Sequence, residues 1–231
     1  MISVVIPTYE MYGDGENFLK ISLNQLKKQS INDFEVIISD HSKDDVIKNC
    51  VKNYDNDLNI NYISYNKNYG NSSANLNNGL KHAKGDIIKI LLQDEFMMEN
   101  ALKKINDFFL SNKSSNWVLN GCLYGKSLND VKGNMIPKYT ENVKFGINTV
   151  GSPSVLTFRN KELEMFDENL IWLMDCEYYY KLEKKFGYPN IINDYLVFVT
   201  QHKNQITMKI SEDVKINENK YINEKYSYER N

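Results

Sequence analysis

Gly85–Glu95, GDIIKILLQDE, is an apolar run that leads directly into two carboxylates. A strand that is apolar on both faces is typical of a parallel sheet covered by helices on each side. Asp94 and Glu95 would then stand at the carboxyl end of the strand, in the crevice where open α/β sheets bind ligands. Two adjacent carboxylates there suit Mg²⁺ or Mn²⁺, although the same pair would also serve as a solvated polar turn.

Strands and helices are predicted to alternate along the first half of the chain. The β-branched runs Ile2–Ile6, Phe34–Ile38 and Ile60–Tyr65 are predicted as strands, each followed by a segment with helical spacing. Such alternation is typical of parallel strands joined by right-handed crossovers. The sequence therefore predicts an α/β fold with a Rossmann-like, mostly parallel central sheet and flanking helices.

The second half of the chain is predicted to be less regular. Residues 125–148 contain Gly and Pro with little periodicity, and they are interpreted as a long connection with room for mobility. Residues 211–231 mix Lys and Glu with Tyr and Asn, and are expected to form a polar C-terminal tail, either a solvated helix or a frayed end. The remaining predicted elements are helices at Met98–Phe109 and Asp175–Phe186, and strands at Trp117–Leu123, Val155–Phe158 and Tyr195–Thr200.

Composition excludes some classes of function. The 231 residues carry a net charge of −2, so no global basic field indicates nucleic-acid binding. The apolar runs are strand-sized and no signal peptide is visible, which favours a cytoplasmic protein. Three widely spaced cysteines are interpreted as reduced core thiols. One domain is expected over residues 1–210.

Polar residues follow several of the predicted strands at the points where they end. Parallel strands bring such ends to one edge of the sheet, so a single ligand could meet all of them. All α/β proteins have polar loops there, so this convergence identifies only the edge of interest. The residues concerned are Thr8, Tyr9 and Glu10 after the first strand, Asp40 and Ser42 after the second, and Asp94 and Glu95 after the fourth.

Five segments follow one another over roughly Ile2–Thr207: SVVIPTYE, EVIISDHSKDD, NYGNSSANLNNGLKHAKGDIIKILLQDE, WLMDCEYYYKLEKKFG and QHKNQIT. Together, in this order, they resemble family 2 glycosyltransferases of the GT-A fold. The resemblance implies a GT-A-type fold with a nucleotide-sugar-binding half at 1–95 and a C-terminal acceptor half at 96–210. It also implies an inverting transferase that moves a sugar from a nucleotide-diphosphate sugar, and a UDP-sugar is the expected donor. The expected acceptor is a hydroxyl of a glycan or lipid-linked molecule in bacterial surface polysaccharide synthesis.

Residue by residue, the resemblance implies a donor site and a divalent cation. Asp40 matches the aspartate that binds the nucleotide base, although an acid there would also cap a helix. Leu76 and Leu92 depart from the family, which commonly has an arginine and a metal-motif aspartate at these positions. The implied metal ligands are Asp94, Glu95 and His202. The implied nucleotide-sugar contacts are Pro7, Thr8, Tyr9, Glu10, Asp40, Ser42, Asn77, Gln93 and Asp94.

Asp175 matches the catalytic base of the family, and Glu177 is the alternative. Sugar transfer with inversion needs a base that takes the proton of the acceptor hydroxyl. The alternative role for Asp175 is to cap its own helix.

A different class of function also remains open. Leu92 and Leu76 would fit a catalytically silent nucleotide-sugar or glycan-binding module on the same fold. Peripheral association with the inner face of a membrane is a further expectation, and the sequence indicates no particular oligomeric state.

Overall fold

A nine-stranded sheet forms the centre of the computed structural model, which describes residues 1–227. The strands are β1 (Ile2–Thr8), β2 (Phe34–Asp40), β3 (Ile60–Ser64), β4 (Ile87–Ile90), β5 (Glu95–Met97), β6 (Trp117–Ser127), β7 (Asp130–Met135), β8 (Leu156–Arg159) and β9 (Asn190–Thr200). The α-helices are α1 (Gly15–Leu26), α2 (Val46–Lys52), α3 (Ser72–Leu80), α4 (Ala101–Ser111), α5 (Met174–Phe186), α6 (Ile206–Lys209) and α7 (Glu212–Lys225).

The first four strands form the predicted parallel sheet in the order β3-β2-β1-β4. Ile2 pairs with Phe34 on one side and with Ile87 on the other, so the strands begin at nearly the same level. Val4 and Val5 point to opposite faces of β1 and both are fully buried, because helices cover each face. The predicted α/β fold with a Rossmann-like sheet is confirmed.

Beyond β4 the sheet continues as β8-β6-β9-β5, and most of its pairings there are antiparallel. The exception is the parallel pairing of β6 with β9. The strand β8 therefore joins the parallel half to the second half of the molecule. This arrangement lets segments from both halves reach the carboxyl ends of β1 and β4.

Residues 125–148 contain more regular structure than predicted. The strand β6 continues to Ser127 and forms an antiparallel hairpin with β7, in which Cys122 pairs with Met135. The β7 segment DVKGNM lacks a clear alternation of apolar and polar residues, so its pairing with β6 produces a strand that periodicity did not predict. The strand β5, three residues long, was also missed, and it pairs with β9.

One position in the apolar run of β4 is a fully buried lysine. The Lys89 ammonium donates to Asn120 Oδ1 at 2.9 Å and to the Ser154 carbonyl oxygen. Burial lowers the pKa of Lys89 to about 7. Both faces of β4 are buried as expected, but one of them carries a polar group that ties β4 to β6 and to the turn at 153–155.

The segment predicted as a polar tail is largely a packed helix. The side chains of Glu218 and Ile222 in α7 lie one helical turn apart and are buried, and Ile222 belongs to the main core. Residues 228–231 of the predicted tail lie outside the described residues. Within residues 1–227, no helix is both long and apolar enough to cross a membrane.

Candidate active site

A cleft of about 780 Å³ opens at the carboxyl ends of β1 and β4. This volume lies in the range of small-molecule binding sites. Both halves of the chain contribute to its walls, since β1 and β4 supply one side and the segments around residues 148–153 and 171–175 supply the other. The lining residues used below are Pro7, Tyr9, Glu10, Leu92, Gln93, Asp94, Glu95, Asn148, Ser152, Trp172 and Asp175.

Asp40 lies behind the cleft wall and is 2% exposed. Its Oδ1 accepts hydrogen bonds from Thr8 Oγ1 at 3.2 Å and from Ser42 N and Oγ at 3.0 and 2.7 Å. Its Oδ2 accepts from the Tyr62 hydroxyl at 2.7 Å. Asp40, Thr8 and Ser42 thus form one network that holds the ends of β1 and β2 together. All three were predicted to contact the nucleotide, but none of them lines the cleft. Pro7, Tyr9 and Glu10, which were also predicted to contact it, do line the cleft.

Gln93 fixes the loop that follows β1. Its Oε1 accepts from Tyr9 N at 2.9 Å, and its Nε2 donates to the carbonyls of Tyr9 at 3.0 Å and Gly15 at 2.8 Å. A Cβ at Gly15 would lie 2.3 Å from the Tyr9 carbonyl oxygen, so this approach requires glycine. Met11 and Tyr12 in the same loop have positive φ angles of 45° and 55°, a strained backbone that needs such support. The amide of Gln93 is therefore engaged within the protein, and a direct sugar contact would have to break these bonds.

Asp94 stands at the cleft beside His202, and the carboxylate Oδ2 lies 2.7 Å from the imidazole Nε2. His202 Nδ1 accepts from the Asn204 N–H at 3.2 Å, which places the ring proton on Nε2, where it is donated to Asp94. In this tautomer His202 orients the Asp94 carboxylate, which lines the cleft.

Glu95 is buried, at 3% exposure, and its Oε2 accepts a hydrogen bond from Ser152 Oγ at 2.8 Å. Burial raises the pKa of the Glu95 carboxyl, and the neighbouring Asp94 charge adds to this effect. No group of three or more His, Cys, Asp and Glu side chains within residues 1–227 is arranged to hold a metal ion. One open carboxylate still fits Mg²⁺ or Mn²⁺, because these ions commonly take their other ligands from substrate phosphates and water.

Asp175 lies in the first turn of α5 and lines the cleft from the C-terminal half of the chain. Its Oδ2 accepts from Asn148 Nδ2 at 2.8 Å, and its Oδ1 accepts from Cys176 N at 2.7 Å. Burial raises the pKa of Asp175 to about 6. The N-cap position of α5 is Leu173, so Asp175 is not the N-cap residue. A carboxylate with this pKa can both accept a proton and lose it again near neutral pH.

Glu177, the alternative base, is turned away from the cleft. It lies two residues after Asp175, roughly 200° around the helix. Its side chain is fully buried, and Oε1 accepts from Lys225 Nζ and from the Tyr226 hydroxyl, each at 2.8 Å. Glu177 joins α5 to the C-terminal helix, and we do not retain it as a base.

Asn77, predicted to contact the nucleotide-sugar, instead connects two segments of the protein. Its Oδ1 accepts from Phe166 N at 2.7 Å, and its Nδ2 donates to the Phe166 carbonyl at 2.9 Å and to Glu168 Oε1 at 3.1 Å. Asn77 therefore ties α3 to the segment at 166–168, and it does not line the cleft. Sequence reasoning missed Asn148, the partner of Asp175, because it falls in the segment predicted as an irregular connection and belongs to no motif.

The sequence model of Glycosyl transferase family 2 matches residues 3–166 of this chain. A GalNAc(5)-diNAcBac-PP-undecaprenol beta-1,3-glucosyltransferase of Campylobacter jejuni is 28% identical over 129 residues, which are 55% of this chain and 40% of that protein. The poly(ribitol-phosphate) beta-N-acetylglucosaminyltransferase TarP of Staphylococcus aureus is 30% identical over 139 residues, 59% of this chain and 39% of that protein. The chain thus spans about two fifths of the length of these two relatives.

Solved structures share the fold at lower identity. The crystal structure of S. aureus TarS 1-349 in complex with UDP-GlcNAc superposes with a TM-score of 0.66 at 21% identity, covering 91% of this chain and 61% of that one. The mannosyltransferase PcManGT from Pyrobaculum calidifontis, in complex with GDP-Man and Mn²⁺, gives a TM-score of 0.62 at 15% identity, covering 87% of this chain and 57% of that one.

Proposed function

Since this chain belongs to glycosyl transferase family 2, we propose that it transfers a sugar, with inversion, from a nucleotide-diphosphate sugar to a hydroxyl of a glycan or lipid-linked acceptor. One observation carries the proposal. Asp94, suited to a diphosphate-bound cation, and Asp175, suited to a base, open into the same cleft from the two halves of the chain. A sugar transferase needs a base beside the attacking hydroxyl and positive charge beside the leaving diphosphate, on opposite sides of the anomeric carbon.

We propose a UDP-sugar as donor. The support is that the TarS structure similar to this chain was solved in complex with UDP-GlcNAc. Pro7, Tyr9 and Glu10 line the cleft where the nucleotide would bind, and Tyr9 offers an aromatic face for stacking. Asp40 shapes the same wall from behind, through Thr8 and Ser42.

The cation would be held by Asp94, with diphosphate oxygens and water completing its coordination. When bound, Mg²⁺ or Mn²⁺ supplies positive charge against the negative charge that develops on the departing nucleotide diphosphate. His202 keeps the Asp94 carboxylate in place through its 2.7 Å hydrogen bond. Glu95 supports the opposite wall through Ser152 rather than serving as an open ligand.

Asp175 would accept the proton of the acceptor hydroxyl as that oxygen attacks the anomeric carbon. Asn148 Nδ2, at 2.8 Å, holds one carboxylate oxygen, and the Cys176 amide holds the other, so the side chain has a defined orientation. Attack from the face opposite the leaving diphosphate inverts the anomeric configuration.

The names of the relatives support a bacterial surface glycan as the wider context. The C. jejuni protein acts on an undecaprenol-linked glycan and the S. aureus protein on poly(ribitol-phosphate). We propose an acceptor of this general kind for the present chain, with synthesis on the cytoplasmic side of the membrane and peripheral contact with its inner face.

Ligand-induced thermal stabilisation tests the donor site. UDP should raise the melting temperature of the wild type in the presence of Mn²⁺, because a ligand that binds only the native state stabilises it by mass action. Asp94→Ala should lose the Mn²⁺-dependent part of the shift, whereas Asp55→Ala, at an exposed acid in the turn after α2, should keep it. Absence of a shift with UDP, GDP or ADP, with either cation, would contradict the proposal.

A silent binding module on the same fold is the second candidate, and Leu92 favours it by placing an apolar side chain in the cleft wall. Release of UDP from UDP-GlcNAc, measured with and without a pool of lipid-linked glycans, distinguishes the two. Turnover that Asp175→Asn abolishes supports the enzyme. Tight UDP binding without turnover of any donor supports the module.

A further inference from the structure

A glutamate of the C-terminal helix lies against the segment that leads into α5. Glu218 is 5% exposed. Its Oε1 accepts from Ile171 N at 2.7 Å, and its Oε2 accepts from Leu173 N at 2.8 Å. Trp172 N lies between the two oxygens, at 3.2 and 3.0 Å. Three consecutive backbone amides thus point at one carboxylate that is 45 or more residues away along the chain.

These amides need a partner that local sequence does not supply. Ile171 and Trp172 precede α5 and Leu173 is its N-cap residue, so none of these three N–H groups has an acceptor within the helix. A buried amide without a partner is strongly unfavourable, and a carboxylate at a helix N-terminus is also favoured by the helix dipole. Glu218, from α7, supplies an acceptor for these amides and places its negative charge at the start of α5.

The same helix also holds the start of this segment. Asp167 Oδ2 accepts a hydrogen bond from the Tyr221 hydroxyl at 2.8 Å, and Lys225 forms an ion pair with the same carboxylate. Residues 167–173 are therefore anchored to α7 at both ends.

The anchored segment carries the acceptor side of the active site. Trp172 lines the cleft, and Asp175 follows in the first turn of α5. We propose that Glu218 is a positioning residue, which sets the place of Trp172 and of the Asp175 carboxylate by binding the amides of residues 171–173. This inference rests on the proposed transferase function. It also extends the active unit to α7, beyond the segment 3–166 that matches the family.

Comparing Glu218→Ala, Glu218→Gln and the control Glu224→Gln tests the proposal. Glu224 lies on the same helix, but its side chain is 67% exposed. Displacing a base by about 1 Å can cost on the order of a hundredfold in rate. We expect Glu218→Ala to lower kcat at least tenfold while the Kd of UDP stays within about twofold, because β1 and β4 form the donor side. Glu218→Gln should recover part of the loss, since it keeps an acceptor oxygen, and Glu224→Gln should match the wild type.

Hydrogen exchange provides a readout that does not need activity. In Glu218→Ala the amides of residues 171–173 should exchange faster, with little change in β1–β4. A wild-type kcat in folded Glu218→Ala would overturn the proposal. Unchanged exchange at residues 171–173 would also overturn it. Weaker UDP binding together with faster exchange throughout the chain would overturn it as well, because it would indicate general destabilisation. If the wild type turns over no donor, the transferase function fails, and exchange at residues 171–173 still decides whether Glu218 anchors the segment.

Discussion

At the scale of single residues, the environment of Asp175 predicts how activity depends on pH. A base must be unprotonated to act, and burial raises the pKa of Asp175 to about 6. We expect kcat to rise with pH and to level off above about pH 7, with roughly a tenth of the plateau value at pH 5. Asp175→Asn should lower kcat by about 10²–10⁴-fold without weakening UDP binding. A UDP-release assay from pH 5 to 8 checks both expectations.

The raised pKa of Asp175 also affects the stability of the protein. This effect distinguishes loss of the carboxyl group from general destabilisation by the substitution. The folded pKa lies above the unfolded value of 3.8, so the native state binds more protons between pH 3.8 and about 6. The contribution of this group to stability is therefore lost as the pH rises through that window. Asp175→Asn should consequently unfold at a higher temperature than the wild type at pH 7.5. A lower melting temperature together with a flat pH profile would contradict the assignment.

Gln93 shows why the role of a site residue does not follow from its position in a motif. Its place between Leu92 and Asp94 predicted a contact with the donor sugar. In the fold its amide bonds to the backbone of Tyr9 and Gly15, some 80 residues away. The direction of the side chain depends on where the β1 loop lies, which no local pattern encodes.

At the scale of elements, the strand β4, which leads to the active site, contains a fully buried lysine. Lys89 has a folded pKa of about 7, against 10.5 in the unfolded chain. The unfolded state therefore binds more protons between these values, and the unfolding free energy of the wild type should rise with pH in this window. Relative to Lys89→Met, the gain from pH 7 to pH 9 should be about 2 kcal/mol.

Urea unfolding of both chains at the two pH values measures this difference. The Lys89 charge lowers the pKa of the neighbouring Glu95, so both chains are compared in a Glu95→Gln background, in which residue 95 no longer titrates. Lys126→Met, at an exposed lysine of β6, is the matched control and should show no such gain. A difference between wild type and Lys89→Met that does not change with pH would show that Lys89 has an ordinary pKa.

At the scale of the whole molecule, the C-terminal helix α7 belongs to the core. Ile222 is fully buried, whereas Ile216 on the same helix is 62% exposed. Ile222→Ala should lower the unfolding free energy by about 3 kcal/mol, because it leaves a cavity in a packed interior. Ile216→Ala should change it by less than about 0.5 kcal/mol. Urea denaturation checks both, and equal effects would mean that α7 does not pack against the core as described.

Local sequence was enough to predict the parallel half of the fold and the edge where the cleft lies. Alternation of strand and helix patterns predicted β1–β4, and the carboxyl ends of these strands do open into the cleft. Asp94 and Asp175 both line it, because one follows a buried strand and the other begins a helix. Periodicity and element ends are properties of short segments, so they can be recognised without knowing what packs against them.

Only the tertiary structure decided which polar side chains face the cleft and which hold it together. Asp40 and Glu177 were expected at the ligand, but each is engaged by partners from other elements. Glu218, which had no motif, joins the C-terminal helix to the segment before Asp175. These roles depend on contacts between residues 20 to 50 positions apart, and the geometry of such contacts exists only once the sheet and helices have packed.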